Sequence, residues 1–180
     1  AGRDARGQHV ANLLAFKPEE RIAEVIWFKS YDVVPYLVLA TRNGLVKKTA
    51  LKEFDSPRSG GLIAISLKPG DEVVAAALVD KDDEILLVSK KAMSLRFTSD
   101  DESLRPMGRS TSGVIGMKFR EGDELLSMSR INSSNAQSFV FTATDGGYGK
   151  KTPIDEYRLQ GRGGIAVSYT HLRAHETKAN

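Results

Sequence analysis

The feature that most constrains this chain is a loose internal repeat of about 50 residues. LATRNGLVKKT (39–49) aligns with VSKKAMSLRFT (88–98) at an offset of 49 residues, and that stretch aligns with TATDGGYGKKT (142–152) at an offset of 54. A second marker keeps the same order: FKPEE (16–20), LKPGD (67–71) and FREGD (119–123) lie 51 and then 52 residues apart. A third is a basic glycine tract, present as Arg6-Gly7, Arg58-Ser59-Gly60-Gly61, Arg109-Ser110-Thr111-Ser112-Gly113 and Arg162-Gly163-Gly164. Repeats of this kind bury their apolar faces against their neighbours, so functional residues are expected to recur at equivalent positions.

Within a unit the pattern is β. The runs 36–41, 84–89 and 138–143 are short and rich in apolar, β-branched or aromatic residues, and each is followed by a turn and a second run carrying a base. Asn43-Gly44 and Gly146-Gly147 supply the positive φ of a two-residue hairpin turn, whereas the middle copy holds Ala92-Met93 in that slot, so its turn is expected to differ. Further apolar runs follow at 62–67 and 114–119, and again at 73–79 and 125–131. Four strands per unit predict an all-β, propeller-like array of four-stranded antiparallel blades. Segments 51–54, 100–104 and 154–157 are each long enough for one helical turn only. The units fall at roughly 1–30, 31–80, 81–132 and 133–164, which makes about three and a half blades of one larger closed or spiral array. The remainder, IAVSYTHLRAHETKAN (165–180), fits no copy and reads as a non-native tail, with 168–180 expected to be disordered or loosely docked.

Several function classes are excluded or left without support. The chain has no cysteine, so disulfides, thiolate catalysis and thiolate metal sites are ruled out. It has no G-x-S-x-G, no P-loop and no dinucleotide fingerprint, and His171 and His175, four apart, lack a third ligand. No catalytic, metal or cofactor site is therefore expected. Carboxylates gather at turns such as 80–84, 99–102 and 121–124, where they are solvated. No apolar run approaches the roughly 20 residues needed to cross a bilayer, so no membrane partner is expected, and the cytoplasm is the expected location.

The bases carry the sharper pattern. With 26 basic and 23 acidic residues the net charge of +3 says little, so the placement of charge has to decide. The offsets above put Lys47, Arg96 and Lys150 at one repeat position, with Lys48 and Lys151 beside two of them. Strand alternation is then expected to turn one cation per blade outward on a common face, together with the threonines that follow. The tracts add Arg58, Arg109 and Arg162, with Arg105 and Arg158 nearby. In Gln160-Gly161-Arg162-Gly163-Gly164 the glycines allow a phosphate to approach backbone N–H groups, and Arg162 is suited to grip it bidentately. The competing reading is a protein-binding scaffold whose outer-strand bases only prevent edge-to-edge aggregation. Charge reversal at Lys47, Arg96 and Lys150 separates the two.

The blade markers, together with ANLLAFKPEERI (11–22), YLVLATRNGLVKKT (36–49), LRPMGRSTSGVIGM (104–117) and GYGKKTPIDEYRLQGRGG (147–164), resemble the C-terminal domain of the DNA gyrase A subunit, in wording nearest its actinobacterial form. The resemblance runs from about residue 3 to residue 164. It implies a β-pinwheel with strands exchanged between neighbouring blades, whose basic perimeter wraps double-stranded DNA. It implies contacts from Lys47, Lys48, Arg58, Arg96, Arg109, Lys150, Lys151, Arg158 and Arg162, and a glycine-arginine box at Gln160, Gly161, Arg162, Gly163 and Gly164. Ala166 departs from the box's last glycine. It further implies that the N-terminal domain of the gyrase A subunit and the gyrase B subunit are the partners, within a nucleoid-associated heterotetramer. ATP and magnesium would be used in those other parts and not in this one. Within the resemblance, the topoisomerase IV A subunit is the nearest alternative.

Overall fold

A computed structural model describes Gly7, Asn12, Lys17 and residues 19–58, 60–134, 137–165 and 167–168. The β-branched and aromatic runs form hairpins, as their alternation requires. Strand β1 (Tyr36–Thr41) pairs antiparallel with β2 (Leu45–Ala50), β4 (Glu84–Ser89) with β5 (Met93–Thr98), and β8 (Phe139–Ala143) with β9 (Gly149–Pro153). Two of the hairpins grow into four-stranded sheets. β3 (Val73–Val79) adds to β1 and β7 (Leu125–Ile131) adds to β4, each from the same unit. The fourth strand comes from the unit downstream: β6 (Val114–Ile115) pairs with β2, and β10 (Val167–Ser168) pairs with β5. The sheet orders are β3-β1-β2-β6 and β10-β5-β4-β7, so the expected all-β architecture with exchanged strands is what the chain forms. We call the sheets blades A and B, and the hairpin β8–β9 blade C.

The pairing register corrects the repeat offsets. Tyr36 opposes Ala50, Glu84 opposes Thr98 and Phe139 opposes Pro153, so equivalent residues lie 48 and then 55 apart, not 49 and 54. The three turns are accordingly alike. The N–H of Gly44, Ala92 and Gly147 donates to the carbonyl of Thr41, Ser89 and Thr144, and each donor residue has positive φ (81°, 59° and 82°). These are three-residue loops closed by a left-handed residue, and the expectation of a different middle turn does not hold. Ala92 takes a conformation that glycine adopts more cheaply because its neighbours fix it: Asp123 accepts from the Lys91 N–H as Asp71 does from the Asn43 N–H.

Two cores separate three layers. Val38, Val46 and Val79 of blade A meet Ile85, Leu87, Leu95 and Phe97 of blade B, while Leu86 and Ile131 on the far side of blade B meet Ile154 and Tyr157 next to blade C. Successive residues of β4 thus point into different cores, and the strand reads as continuously apolar because it is covered on both faces. Each of Leu87, Leu95 and Phe97, all fully buried, contributes about 2 kcal/mol. The expected one-turn helices are present as 3₁₀ turns at Leu51–Phe54 and Ile154–Glu156, and as a single turn closed by the Leu104 N–H on the Asp100 carbonyl, 2.8 Å.

Two expectations differ from what the chain does. Residues 62–67 form no strand, because the hairpin edge they match by repeat lies one unit upstream and no strand precedes Tyr36 among the described residues. Of 114–119 only the first two residues are strand, followed by a parallel bridge from Lys118 to Ile165. Sheet pairing also runs past Gly164, through Ile165 to β10. The rest of the tail, 169–180, with His171 and His175, lies outside the described residues, as does His9.

Candidate nucleic-acid interface

In the observed register Arg96 is the equivalent of Lys48 and Lys151, not of Lys47 and Lys150. The three equivalent cations share a local partner. Tyr36, Glu84 and Phe139 open the first strand of each hairpin, diagonal to the cation on the same face. The Lys48 Nζ sits 4.5 Å from the Tyr36 ring centre, the Arg96 Nε donates to the Glu84 carboxylate at 2.6 Å, and the Lys151 Nζ sits 3.9 Å from the Phe139 ring centre. Beyond that partner, two of the three reach into the next blade. Lys48, fully buried, donates to the Ser99 carbonyl (2.6 Å) and the Asp101 carboxylate (2.7 Å) just after β5. Arg96 donates from Nη1 to the carbonyls of Ile154 and Tyr157, both at 2.9 Å, just after β9. Ser99 and Ile154 are themselves equivalent, so this is one recurring inter-blade tie.

The expectation that Lys47 and Arg96 face outward is therefore overturned. Both faces of β2 and β5 are covered, β5 by the layers on either side and β2 by blade B on one side and by residues 62–67 and 109–113 on the other. Alternation therefore selects between two interiors rather than between core and water. Lys47 is fully buried and donates from Nζ to the carbonyls of Ala64 (2.7 Å) and Arg109, pinning residues 62–67 and the glycine tract at 109–113 to blade A. Burial pushes its pKa down, Glu53 opposes that shift, and the Arg109 charge adds to it. Of the strand bases Lys47, Lys48, Arg96, Lys150 and Lys151, the last two remain exposed.

The glycine tracts divide in the same way. Arg162 donates from Nε to the Ser103 carbonyl and from Nη1 to the Ile115 carbonyl, each at 2.6 Å, so its fork grips backbone of blade B and β6. Gln160 donates its N–H to the Arg96 carbonyl, and Gly163 donates its N–H to the Gly116 carbonyl. These bonds weave the box into the seam, while Gly161 faces open space. Arg58 is exposed and Arg109 half-buried, and together they line an open groove of about 630 Å³ with Gly61, Gly108, Ser110 and Glu53. No Cβ walls off its backbone at Gly61 or Gly108, and neither position has a neighbour within 4 Å of where a Cβ would stand. A phosphate can approach backbone N–H groups there between two guanidinium groups. Arg105 and Arg158, which stand four residues before Arg109 and Arg162, are exposed.

Sequence reasoning missed the Tyr36, Glu84 and Phe139 partners, and it missed that the expected turn at 100–104 supplies acceptors to Lys48 and Arg162. The signal was the aromatic or acidic residue opening each first strand, legible only once the register is right. Among the described residues no group of three or more His, Asp or Glu side chains is placed to hold a metal, and no helix is long and apolar enough to cross a membrane.

Exchanged four-stranded sheets stacked as layers, with bases on glycine tracts at the seams, define an array of β-propeller-type blades. The sequence matches the family described as "DNA gyrase C-terminal domain, beta-propeller" over residues 35–80, 83–132 and 138–174, and the chain belongs to that family. It is 64% identical over 172 residues to the DNA gyrase A subunit of Streptomyces coelicolor, covering 93% of this chain and 20% of that protein. It is 62% identical over 176 residues to the DNA gyrase A subunit of Mycolicibacterium smegmatis, covering 96% and 20%. The chain thus spans about a fifth of the length of these relatives. Among solved structures it is similar to a DNA gyrase A C-terminal domain (TM-score 0.78, 28% identity, 98% of this chain and 56% of that one). It is also similar to the C-terminal domain of DNA topoisomerase IV (TM-score 0.79, 32% identity, 90% and 49%).

Proposed function

We propose that the chain is the DNA-wrapping module of a DNA gyrase A subunit, part of a type II topoisomerase, and that it holds duplex DNA by its phosphates while the rest of the enzyme performs ATP-dependent negative supercoiling. In that assembly its partners are the N-terminal domain of the same polypeptide and the gyrase B subunit. ATP and magnesium act in those parts, the module itself takes no cofactor, and the complex works on the nucleoid in the cytoplasm.

The observation that carries the reading is the open groove between Arg58 and Arg109, where two guanidinium groups flank backbone without Cβ atoms. Lys150, Lys151, Arg105 and Arg158 are exposed and extend the positive surface, whereas Lys47, Lys48, Arg96 and Arg162 act through the architecture that positions it. Binding of this kind is sequence-tolerant and salt-sensitive, because each neutralised phosphate releases counterions. Duplex affinity measured between low and moderate salt should fall steeply. Arg58→Glu with Arg109→Glu should flatten the slope of log affinity against log salt by about 0.9 for each phosphate no longer neutralised. A salt slope near zero in the unaltered chain would remove the proposal.

A further inference from the structure

We propose that Lys47 is the positioning residue of the open groove, a role that rests on the groove's binding DNA: it holds the two walls at the separation at which Arg58 and Arg109 face one stretch of phosphate backbone. One wall carries Arg58, Gly61, Leu62 and Ile63, the other Gly108, Arg109 and Ser110. Beneath them Lys47 donates from Nζ to the Ala64 carbonyl (2.7 Å), one residue past Ile63, and to the carbonyl of Arg109 itself. A single ammonium thus fixes the backbone of the residue whose guanidinium lines the groove, and fixes it relative to the opposite wall. A second tie runs beside the first, from the Ser66 N–H to the Thr111 carbonyl (3.0 Å) and from Ser66 Oγ to the Ser110 carbonyl (2.7 Å). The Ser66 bonds join the walls to each other, whereas Lys47 joins both to β2. That strand is a firm base: Leu39 of β1 opposes Lys47, and Val46 beside it is fully buried. The second wall is seated on the same strand, since the Met107 N–H donates to the Lys48 carbonyl at 2.8 Å and a Cβ on Gly113 would stand 2.6 Å from the Val46 carbonyl.

The charge of Lys47 belongs to the same role. Both acceptors are carbonyls, so neither cancels it. The charged groups around it are Glu53, from the 3₁₀ turn at Leu51–Phe54, and Arg109, while β1 places Leu39 opposite it and residues 62–66 include no charged side chain. Burial pushes the Lys47 pKa below the ordinary 10.5, Glu53 opposes that shift and the Arg109 charge adds to it. A phosphate entering between the two guanidinium groups brings a negative charge to the groove side of Lys47. It favours the ammonium form, and by reciprocity the proton on Lys47 favours the phosphate. Without that proton the two ties become neutral hydrogen bonds, about half as strong. Holding the walls and charging the floor of the groove are therefore one property of one side chain.

Duplex affinity of the whole chain tests this, measured for Lys47→Met, Arg109→Ala and Lys150→Ala and for Lys47→Met combined with each of the other two. Lys47→Met should weaken binding severalfold, at least as much as Arg109→Ala does, although Lys47 is buried and touches no phosphate. Once Lys47 is replaced, Arg109→Ala should cost little more, because its guanidinium is no longer held in place, whereas Lys150→Ala should cost the same factor in both backgrounds. Equal losses from Arg109→Ala with and without Lys47 would overturn the proposal. A pH series gives a second readout. Affinity of the unaltered chain should begin to fall below pH 10.5, before the exposed lysines lose their protons, with the circular dichroism spectrum unchanged across the step. Lys47→Arg, a cation at every pH, should recover part of the affinity that Lys47→Met loses and should lack the early step. The series on the unaltered chain needs no variant, so it decides even where Lys47→Met unfolds: an affinity that stays level until the ordinary 10.5 would overturn the proposal. Arg109→Ala and Lys150→Ala without effect on the unaltered chain would instead remove the DNA-binding reading itself, and this role with it.

Discussion

Lys48 and Lys151 occupy the same repeat position, rest on the same kind of aromatic partner, and live in opposite environments. Lys48 lies between two complete blades with no exposed side-chain surface, its ammonium shared by a carbonyl and a carboxylate of the next layer. Lys151 lies on the open face of blade C, stacked on Phe139 and exposed. A cation coded into every copy is thus a tie where a following blade packs against it, and a surface charge at Lys151, which meets no further blade among the described residues. Its role is set by the neighbour and not by its own strand. Arg96 is the intermediate case: its side chain is 13% exposed, it is neutralised by Glu84 within its own blade, and it reaches the next blade through carbonyls alone.

The largest expected consequence separates the two lysines. Lys48→Ala removes the packed stem and leaves the Ser99 carbonyl buried without its donor, and should destabilise the chain by about 3 kcal/mol. Lys151→Ala forfeits one exposed cation–π interaction and should cost about 0.5 kcal/mol. Denaturant midpoints measured by circular dichroism give both values, and equal losses would mean that the tie at Lys48 does not hold the seam.

How the sequence misleads here is specific. The limits of β1 and β4 are legible residue for residue, because short apolar runs bounded by turn residues leave little freedom. The cation face is not. Matching Thr49 with Thr98 by identity shifts the middle copy by one residue, and on a strand one residue is the difference between two faces. The same slip puts Met93 in the turn slot that Ala92 fills with φ 59°, so one misalignment produces both the supposed odd turn and the supposed outward arginine. Assuming one wet face for each sheet adds to the error, since β2 and β4 are buried on both sides. Arg162 is the two-pronged donor its setting suggests, but what it grips is the carbonyls of Ser103 and Ile115, and no pattern along the chain reveals that those two carbonyls converge.

Two glycines sharpen the same contrast between seam and surface at a smaller scale. A Cβ on Gly116 would stand 2.5 Å from Val46 Cγ1 and 3.1 Å from Leu87 Cδ1, in the layer where blades A and B meet. Gly116→Ala should cost about 1–3 kcal/mol through overpacking. Gly161 has no atom within 4 Å of its Cβ position, so Gly161→Ala should leave stability within about 0.5 kcal/mol. The second variant therefore reports on binding alone. If the box needs bare backbone to admit a phosphate, duplex affinity falls while the melting curve stays put, and unchanged affinity would show that the box serves only the seam.

The smallest effect concerns acid. The A–B seam depends on the turn that follows β5, whose Ser99 and Asp101 hold Lys48 and whose Ser103 carbonyl holds Arg162. Asp100 organises that turn by accepting the Ser103 N–H at 2.7 Å. A hydrogen bond from the Thr98 hydroxyl, and then the bond from the Ser103 N–H, hold its pKa below the ordinary 3.8. The ionised form is favoured by folding, so this stabilisation is fully present above pH 3.8 and is lost as pH falls through the lower folded value. The groups that Arg96 meets in the next blade are carbonyls of the equivalent turn and do not titrate. Amide exchange followed from neutral pH to below 3.8 should accelerate in residues 99–104 before it does in residues 154–157, and Asp100→Asn should remove the difference. Simultaneous acceleration in the unaltered chain would mean that Asp100 does not set the acid response of the A–B seam.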